Sequence, residues 1–313
     1  MEEMKHGLIE GRQISDYIAG GNSPLEHIKL TDGDWLDYKP EHERQFNYAG
    51  MYDTLMCVTY ATTDALESLM MYHLSKGNIN PVDVKWLQTN GYFKNGLINL
   101  NERYSAINGQ TTTQGAYQFN VINGIRHEGC IPQDSFTMAD NFLDNIDSRF
   151  ITDEMRTLGR EFARRFPFSY EWVDDGDIEE YLTYSPLTAS VRFQQPDNPE
   201  QILSPEGQSN HRIMVYKTTD TWIGVNDSYD ELKRYAPGYV HSFMAFYLET
   251  NNMIYKKEKY SPNIYLIDEV KKTKTMIIDM PTLNALNGEF TEVDSLSGYT
   301  DSGTLVFIER VIN

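Results

Sequence analysis

The chain has 313 residues, two cysteines and a formal net charge of −19, from 27 basic against 46 acidic residues. That balance argues against nucleic acid as a partner, because phosphate binding draws its affinity from lysine and arginine; basic peptides or protein surfaces would be steered toward it at low salt. Two cysteines make no disulfide framework, so packing must hold a main domain, with room for a small second one.

In chain order, residues 1–42 read as a polar extension broken at Gly20-Gly21-Asn22-Ser23-Pro24, with Leu8, Ile9, Ile18, Leu30 and Trp35 as its few apolar anchors. No signal peptide is read at its start, and no apolar run of about 18 residues follows that could span a membrane. From Cys57 the small and apolar residues fall at helical spacing (Tyr60, Ala61, Ala65, Leu66, Leu69, Met70), with Asp53 and Thr54 as candidate caps. Pro81 opens a second helix, a short one ends between Ser105 and Asn108, and Gln118 to His127 is amphipathic. Met138 to Asp177, rich in Asp, Arg and Phe, reads as a helical insertion. Strands follow at Leu187–Phe193, Arg212–Thr218, Thr221–Asn226 and Phe243–Leu248. Beyond residue 250, Ile264–Val270, Lys274–Ile278 and Thr304–Ile308 read as short strands of a small β-rich module, residues 251–313. The basic clusters Arg156–Arg165 and Lys256–Lys274 read as solvated faces or protein-docking patches.

Cys57 is the candidate nucleophile. A thiol at a helix N-terminus feels the positive end of the peptide dipole, which is expected to lower its pKa from about 8.5. Acyl transfer also needs a base and a group to orient that base. His211, 154 residues downstream, opens a strand, and Asn226-Asp227 closes the next one. Adjacent strand residues point to opposite faces, so only one of Asn226 and Asp227 can reach His211, and the spacing alone leaves both open. Cys130 is expected to pack in the core rather than bond Cys57.

Cys57-Val-Thr-Tyr-Ala61 and its helix, ending near Leu66-Glu67, resemble the catalytic cysteine helix of papain-like peptidases. Gly124-Ile-Arg-His-Glu-Gly-Cys-Ile-Pro132, the strand led by Tyr184-Ser-Pro186, His211, and Asp227-Ser228-Tyr229 in place of Asn-Ser-Trp extend the resemblance over residues 43–250. Asp53-Thr-Leu-Met-Cys-Val-Thr-Tyr60, Asn101–Ala106 and Gly109–Gly115 are most similar to the divergent papain-like proteins of tailed bacteriophages. The resemblance implies an α+β, two-lobed papain-like fold: an N-terminal helical lobe, a C-terminal antiparallel β lobe and the β-rich appendage. Residues 1–42 would be an arm or a propeptide.

It also implies a peptidase in which Cys57 attacks, His211 shuttles the proton and Asp227, which overlays the first residue of the family's Asn-Ser-Trp, is favoured over Asn226 to orient it. The family places a glutamine shortly before its cysteine to face the oxyanion; here the nearest is Gln45, 12 residues upstream, behind an insert that would have to loop out. Thr112, Thr113 and Gly115 would line the substrate cleft. No cofactor and no metal are expected, since no His-Glu-x-x-His, paired Cys-x-x-Cys or glycine-rich phosphate motif is present. Partners would be a peptide or protein substrate and other virion proteins, met through the arm and the C-terminal module, with no nucleic acid and no membrane. The protein would reside in the virion or the host cytoplasm. The alternatives are a catalytically idle papain-like scaffold serving as a structural or interaction protein of a virion, or another acyl transfer such as transglutamination.

Overall fold

In a computed structural model of the chain, the segment opening at Cys57 forms α1 (Cys57–Ser75), of whose 19 residues 16 are buried. A helix buried on every side is one sandwiched between layers. It packs against strands on one side and helices on the other. It runs beyond the expected end at Leu66-Glu67, because no Gly or Pro interrupts Ser68–Ser75. Asp53 and Thr54 do not cap it. The N-cap is Met56, with no side-chain capping bond; the Thr54 hydroxyl instead donates to the Gln45 carbonyl, and Asp53 accepts the Leu55 N–H. Leu55, at φ 53°, turns the chain sharply just before the helix.

The structure describes residues 7–9, 30–229 and 232–248, and beyond them 253–258, 264–268, 273–277, 290–293, 295, 297 and 300–305. Two compact units divide the chain: Met1–Lys76 with Lys85–Glu249, and Gly77–Val84 with Thr250–Asn313. In the larger unit three short ribbons precede or interleave with the helices. They pair β1 (Leu8–Ile9) in parallel with β6 (Ala116–Tyr117), β2 (Phe46–Asn47) with β3 (Tyr52–Asp53), and β4 (Phe93–Lys94) with β5 (Leu97–Ile98). The other helices are α2 (Pro81–Thr89), whose residues up to Val84 belong to the smaller unit, α3 (Glu102–Asn108), α4 (Gln118–Glu128), α5 (Phe142–Asn145), α6 (Asp153–Arg165) and α7 (Ile178–Leu182). Local chemistry starts them. The Asn101 side chain accepts the Tyr104 N–H at α3, and Thr152 accepts the Met155 N–H at α6, which carries acids in its first turn and arginines in its last.

Seven strands follow: β7 (Phe168–Val173), β8 (Leu187–Val191), β9 (Ile202–Leu203), β10 (His211–Thr218), β11 (Ile223–Asn226), β12 (Leu232–Tyr235) and β13 (Val240–Leu248). They form one sheet in the order β7-β13-β8-β10-β11-β12-β9, antiparallel except where β9 meets β12. The unit is therefore mixed α+β, helices first and a mainly antiparallel sheet second. α1 lies on β8, β10 and β13, with α3 and α4 behind it. Leu66, Leu69 and Met70 are almost fully enclosed there, each worth roughly 1.5–3 kcal/mol of apolar burial.

Part of the expected helical insertion at 138–177 is wrong. It contains α5 and α6, but its end is the edge strand β7, paired with β13 through Phe168↔Leu248 and Tyr170↔Phe246. Phe168 and Tyr170 are buried on one face while Ser169 between them is not, a period of two that the surrounding charge obscures. Strand β9, two residues long, and β12, Leu-Lys-Arg-Tyr, are too short to show a period in the sequence.

The N-terminal stretch is anchored at its far end. Trp35 is enclosed, gives its indole N–H to the Leu182 carbonyl at 2.7 Å, and packs edge-on against Tyr38 and Tyr72. Ile18 lies outside the described residues. The smaller unit is a five-stranded sheet of β14 (Met253–Glu258), β15 (Ile264–Asp268), β16 (Thr273–Ile277), β17 (Phe290–Val293) and β18 (Thr300–Leu305), in the order β17-β14-β15-β16-β18. The expected strand ends at Val270, Ile278 and 306–308 lie outside the described residues, as do the side chains of the Lys256–Lys274 cluster. In the other basic cluster, Arg160 pairs with Glu128, and Arg164 and Arg165 both pair with Glu161.

Candidate active site

The hairpin of β10 and β11 brings His211 to Asp227. Met214 pairs with Asn226; continuing that register puts Asp227 across from Ile213, with His211 two residues further along on the same face. His211 Nε2 lies 3.0 Å from Asp227 Oδ1, and neither side chain is exposed. With Nε2–H given to the carboxylate, Nδ1 is the ring atom that carries the lone pair. Asn226 faces the other way and donates to Asp64 Oδ2 of α1 at 2.8 Å. Strand alternation thus separates the two candidates for the orienting position.

Asp227 has two further partners. Its Oδ1 also accepts the Tyr229 N–H at 2.9 Å, and its Oδ2 stands 2.9 Å from Lys233 Nζ, which is fully buried. Burial opposes ionisation of Asp227, but the electrostatic fields of His211 and Lys233, with the bonds from His211 and the Tyr229 N–H, outweigh it and hold the carboxyl well below the usual carboxylate range. Phe193 and Tyr229 close over this pair. Phe193 meets the imidazole edge-on with centroids 5.4 Å apart, Tyr229 lies at 5.3 Å from it, and Lys233 Nζ sits 4.2 Å from the centre of the Phe193 ring.

Cys57 reaches the same place from α1. Its sulfur meets the backbone N–H of Arg212, the residue bonded to His211, and it feels the charges of Asp53 and Asp227. The expected drop in thiol pKa does not occur. Burial pushes the thiol up and outweighs the Arg212 N–H, while both carboxylates push the same way as burial. Cys57 has no exposed surface, and desolvation of a thiolate is a larger effect than a helix end. Arg212 itself is enclosed, its guanidinium bonded to Ser190 Oγ, Thr188 Oγ1 and the Thr188 and Ser242 carbonyls.

Gln45 does arrive beside these groups. Its backbone N–H donates to the Ser228 carbonyl, its Oε1 accepts from Ser228 Oγ, and the β2–β3 ribbon carries the intervening insert. Its amide is directed to Asp53 Oδ1 at 2.7 Å and Tyr229 Oη at 3.0 Å, and the Tyr229 hydroxyl in turn donates to Asp53 Oδ2. Both amide hydrogens that an oxyanion would need are thereby engaged.

Thr112 and Thr113 are exposed in a tight turn closed by paired Thr112 and Gly115 backbone bonds, while Gly115 is buried against Gly7. Cys130 is buried, with a free thiol 3.6 Å from Ser105 Oγ. Among the described residues, no group of three or more His, Cys, Asp or Glu could hold a metal ion, and no helix is long and apolar enough to cross a membrane. A surface cavity of about 270 Å³ beside α7, lined by Asp32, Glu179 and Thr183, shares no residue with the Cys57 site.

Lys233, Asp53 and Phe193 are the participants that sequence reasoning missed. Lys233 carried one weak signal, since it alternates with Tyr235 on the inward face of β12. Comparison with known protein families and with curated proteins finds no match to this chain.

Proposed function

We propose that this chain is a papain-like thiol hydrolase acting on a peptide bond, held here in a closed state. The observation that carries the reading is the convergence of the Cys57 sulfur on the Arg212 N–H, next to a His211 whose Nε2 is bound by Asp227. In that arrangement His211 Nδ1 takes the thiol proton as Cys57 attacks the carbonyl, then returns it to the leaving amine. Asp227 fixes the tautomer and balances the imidazolium charge. The Cys57 and Val58 N–H groups precede the first helical bond of α1, from the Thr59 N–H to the Met56 carbonyl, and offer oxyanion donors; Gln45 joins them only after its amide leaves Tyr229 or Asp53. The resemblance to the papain-like proteins of tailed bacteriophages supports a virion-associated role, with a peptide or protein as substrate.

One observation favours a second reading, the idle scaffold acting as a structural or interaction protein of a virion. Cys57, His211 and Asp227 all have no exposed surface, and burial disfavours the thiolate.

Labelling with a small electrophilic cysteine probe, read by peptide mass spectrometry, decides between the two. An enzyme gives labelling at Cys57 that disappears in His211→Ala. Equal labelling of wild type and His211→Ala would mean a thiol without a base, and the scaffold reading would stand.

A further inference from the structure

Gly7 is threaded between two backbones, those of Leu55 and Gly115. Its carbonyl accepts the Ala116 N–H at 2.8 Å, and Leu8 and Ile9 continue as a parallel strand opposite Ala116 and Tyr117. It sits at φ +97°, where only glycine is at ease. A Cβ there would lie 2.3 Å from the Leu55 carbonyl oxygen; one on Gly115, opposite, would lie 1.9 Å from the Gly7 oxygen. Both obstacles are main chain and cannot swing aside as a side chain could. Leu55 is two residues before Cys57, and two residues span at most about 7 Å, so Gly7 lies beside the residues that lead into α1.

β6 leads directly into α4, whose Gln118 donates to Thr62 of α1 at 3.1 Å. The strand-accepting edge and the nucleophile helix are therefore tied together. An edge of this kind binds extended peptide through main-chain bonds, with selectivity set by what fits at each residue.

From this we infer that the channel between Leu55 and Gly115 is a binding site for an extended, glycine-containing peptide, and that residues 7–9 of the chain occupy it as a built-in ligand. The glycine lies at the Leu55 carbonyl, and the two residues after it pair with Ala116 and Tyr117. Its importance for substrate choice rests on the proposed role of Cys57, but the binding itself does not.

The test uses the full chain and its Gly7→Ala variant, with two readouts: hydrogen exchange at the Ala116 amide and the rate of Cys57 alkylation by iodoacetamide. Exchange at α1 amides serves as the control that the fold is kept. Gly7→Ala should accelerate both readouts at least about tenfold while α1 stays protected. A peptide with the sequence of residues 5–10, added at about 1 mM, should restore both; the same peptide with alanine in place of glycine should restore neither. Unchanged Ala116 exchange in Gly7→Ala overturns the inference. So does equal rescue by the alanine peptide, or an Ala116 response without any change at Cys57. Failure of the enzymatic reading looks different: His211→Ala combined with Gly7→Ala would leave alkylation at the Gly7→Ala rate, while the peptide effects on Ala116 persist.

Discussion

Lys233 Nζ stands 2.9 Å from the Asp227 oxygen that His211 does not use. One buried carboxylate thus holds an imidazole on one oxygen and an ammonium on the other. The lysine lets Asp227 stay ionised at a position shut off from the protein surface, and it limits how much negative charge is left to stabilise an imidazolium.

Lys233→Met should therefore destabilise the fold by about 3–5 kcal/mol, the usual result of stripping one partner from a buried ion pair. Asp227→Asn should cost a similar amount. The double variant should lose clearly less than the two combined, because neither charge is then left alone. Urea denaturation of the four proteins measures the coupling; strict additivity would show that the pair is not a unit.

Asp64, bonded to Asn226, is pushed up to about 8 by burial, against the lowering effect of that bond. Its folded pKa is above the unfolded one, so its contribution is fully present below about 3.9 and is lost as pH rises through about 8. Buried Glu67 and Glu102, also raised by burial, act in the same direction. Asp227 has the opposite sign, contributing above about 3.9 and losing that contribution as pH falls. Stability should peak in mildly acidic solution. Asp64→Asn keeps an acceptor for Asn226 and should flatten the decline between about pH 5 and about pH 9; urea midpoints across that range are the measurement, and an unchanged slope would assign the decline to other groups.

The Tyr229 hydroxyl joins Asp53 to Gln45. Tyr229→Phe keeps the ring over His211 but removes that link, at an expected cost of about 1–3 kcal/mol for the buried groups left short of a partner. It also frees one hydrogen of the Gln45 amide. In a Gly7→Ala background, where the site is open, turnover of a glycine-containing peptide should then rise rather than fall. A drop in turnover at full folding would mean that the hydroxyl itself takes part in the reaction.

Gly159 of α6 is a packing control away from the site. A Cβ there would lie 2.3 Å from the Glu128 carbonyl and 2.5 Å from the Tyr104 hydroxyl, so Gly159→Ala should cost about 1–3 kcal/mol by overpacking. Thermal unfolding reads the loss. Cys57 labelling per folded molecule should not change.

What the amino-acid order determined by itself was local. The helix at Cys57, the amphipathic one at Gln118 and the strand opening at His211 follow from apolar spacing and from prolines and caps that act within a few residues. The alternation rule even separated Asp227 from Asn226, because a strand's period of two needs no knowledge of its neighbours. Edge strand β7 was not legible, since a charged stretch masks its pairing with β13. Only the tertiary structure decided that Cys57 is sealed and its thiol disfavoured as an anion, that Lys233 balances Asp227, and that Gly7 lies against Leu55. Those facts depend on how much water is excluded and on which distant backbones meet, and desolvation and close approach between remote segments leave no periodic trace along a chain.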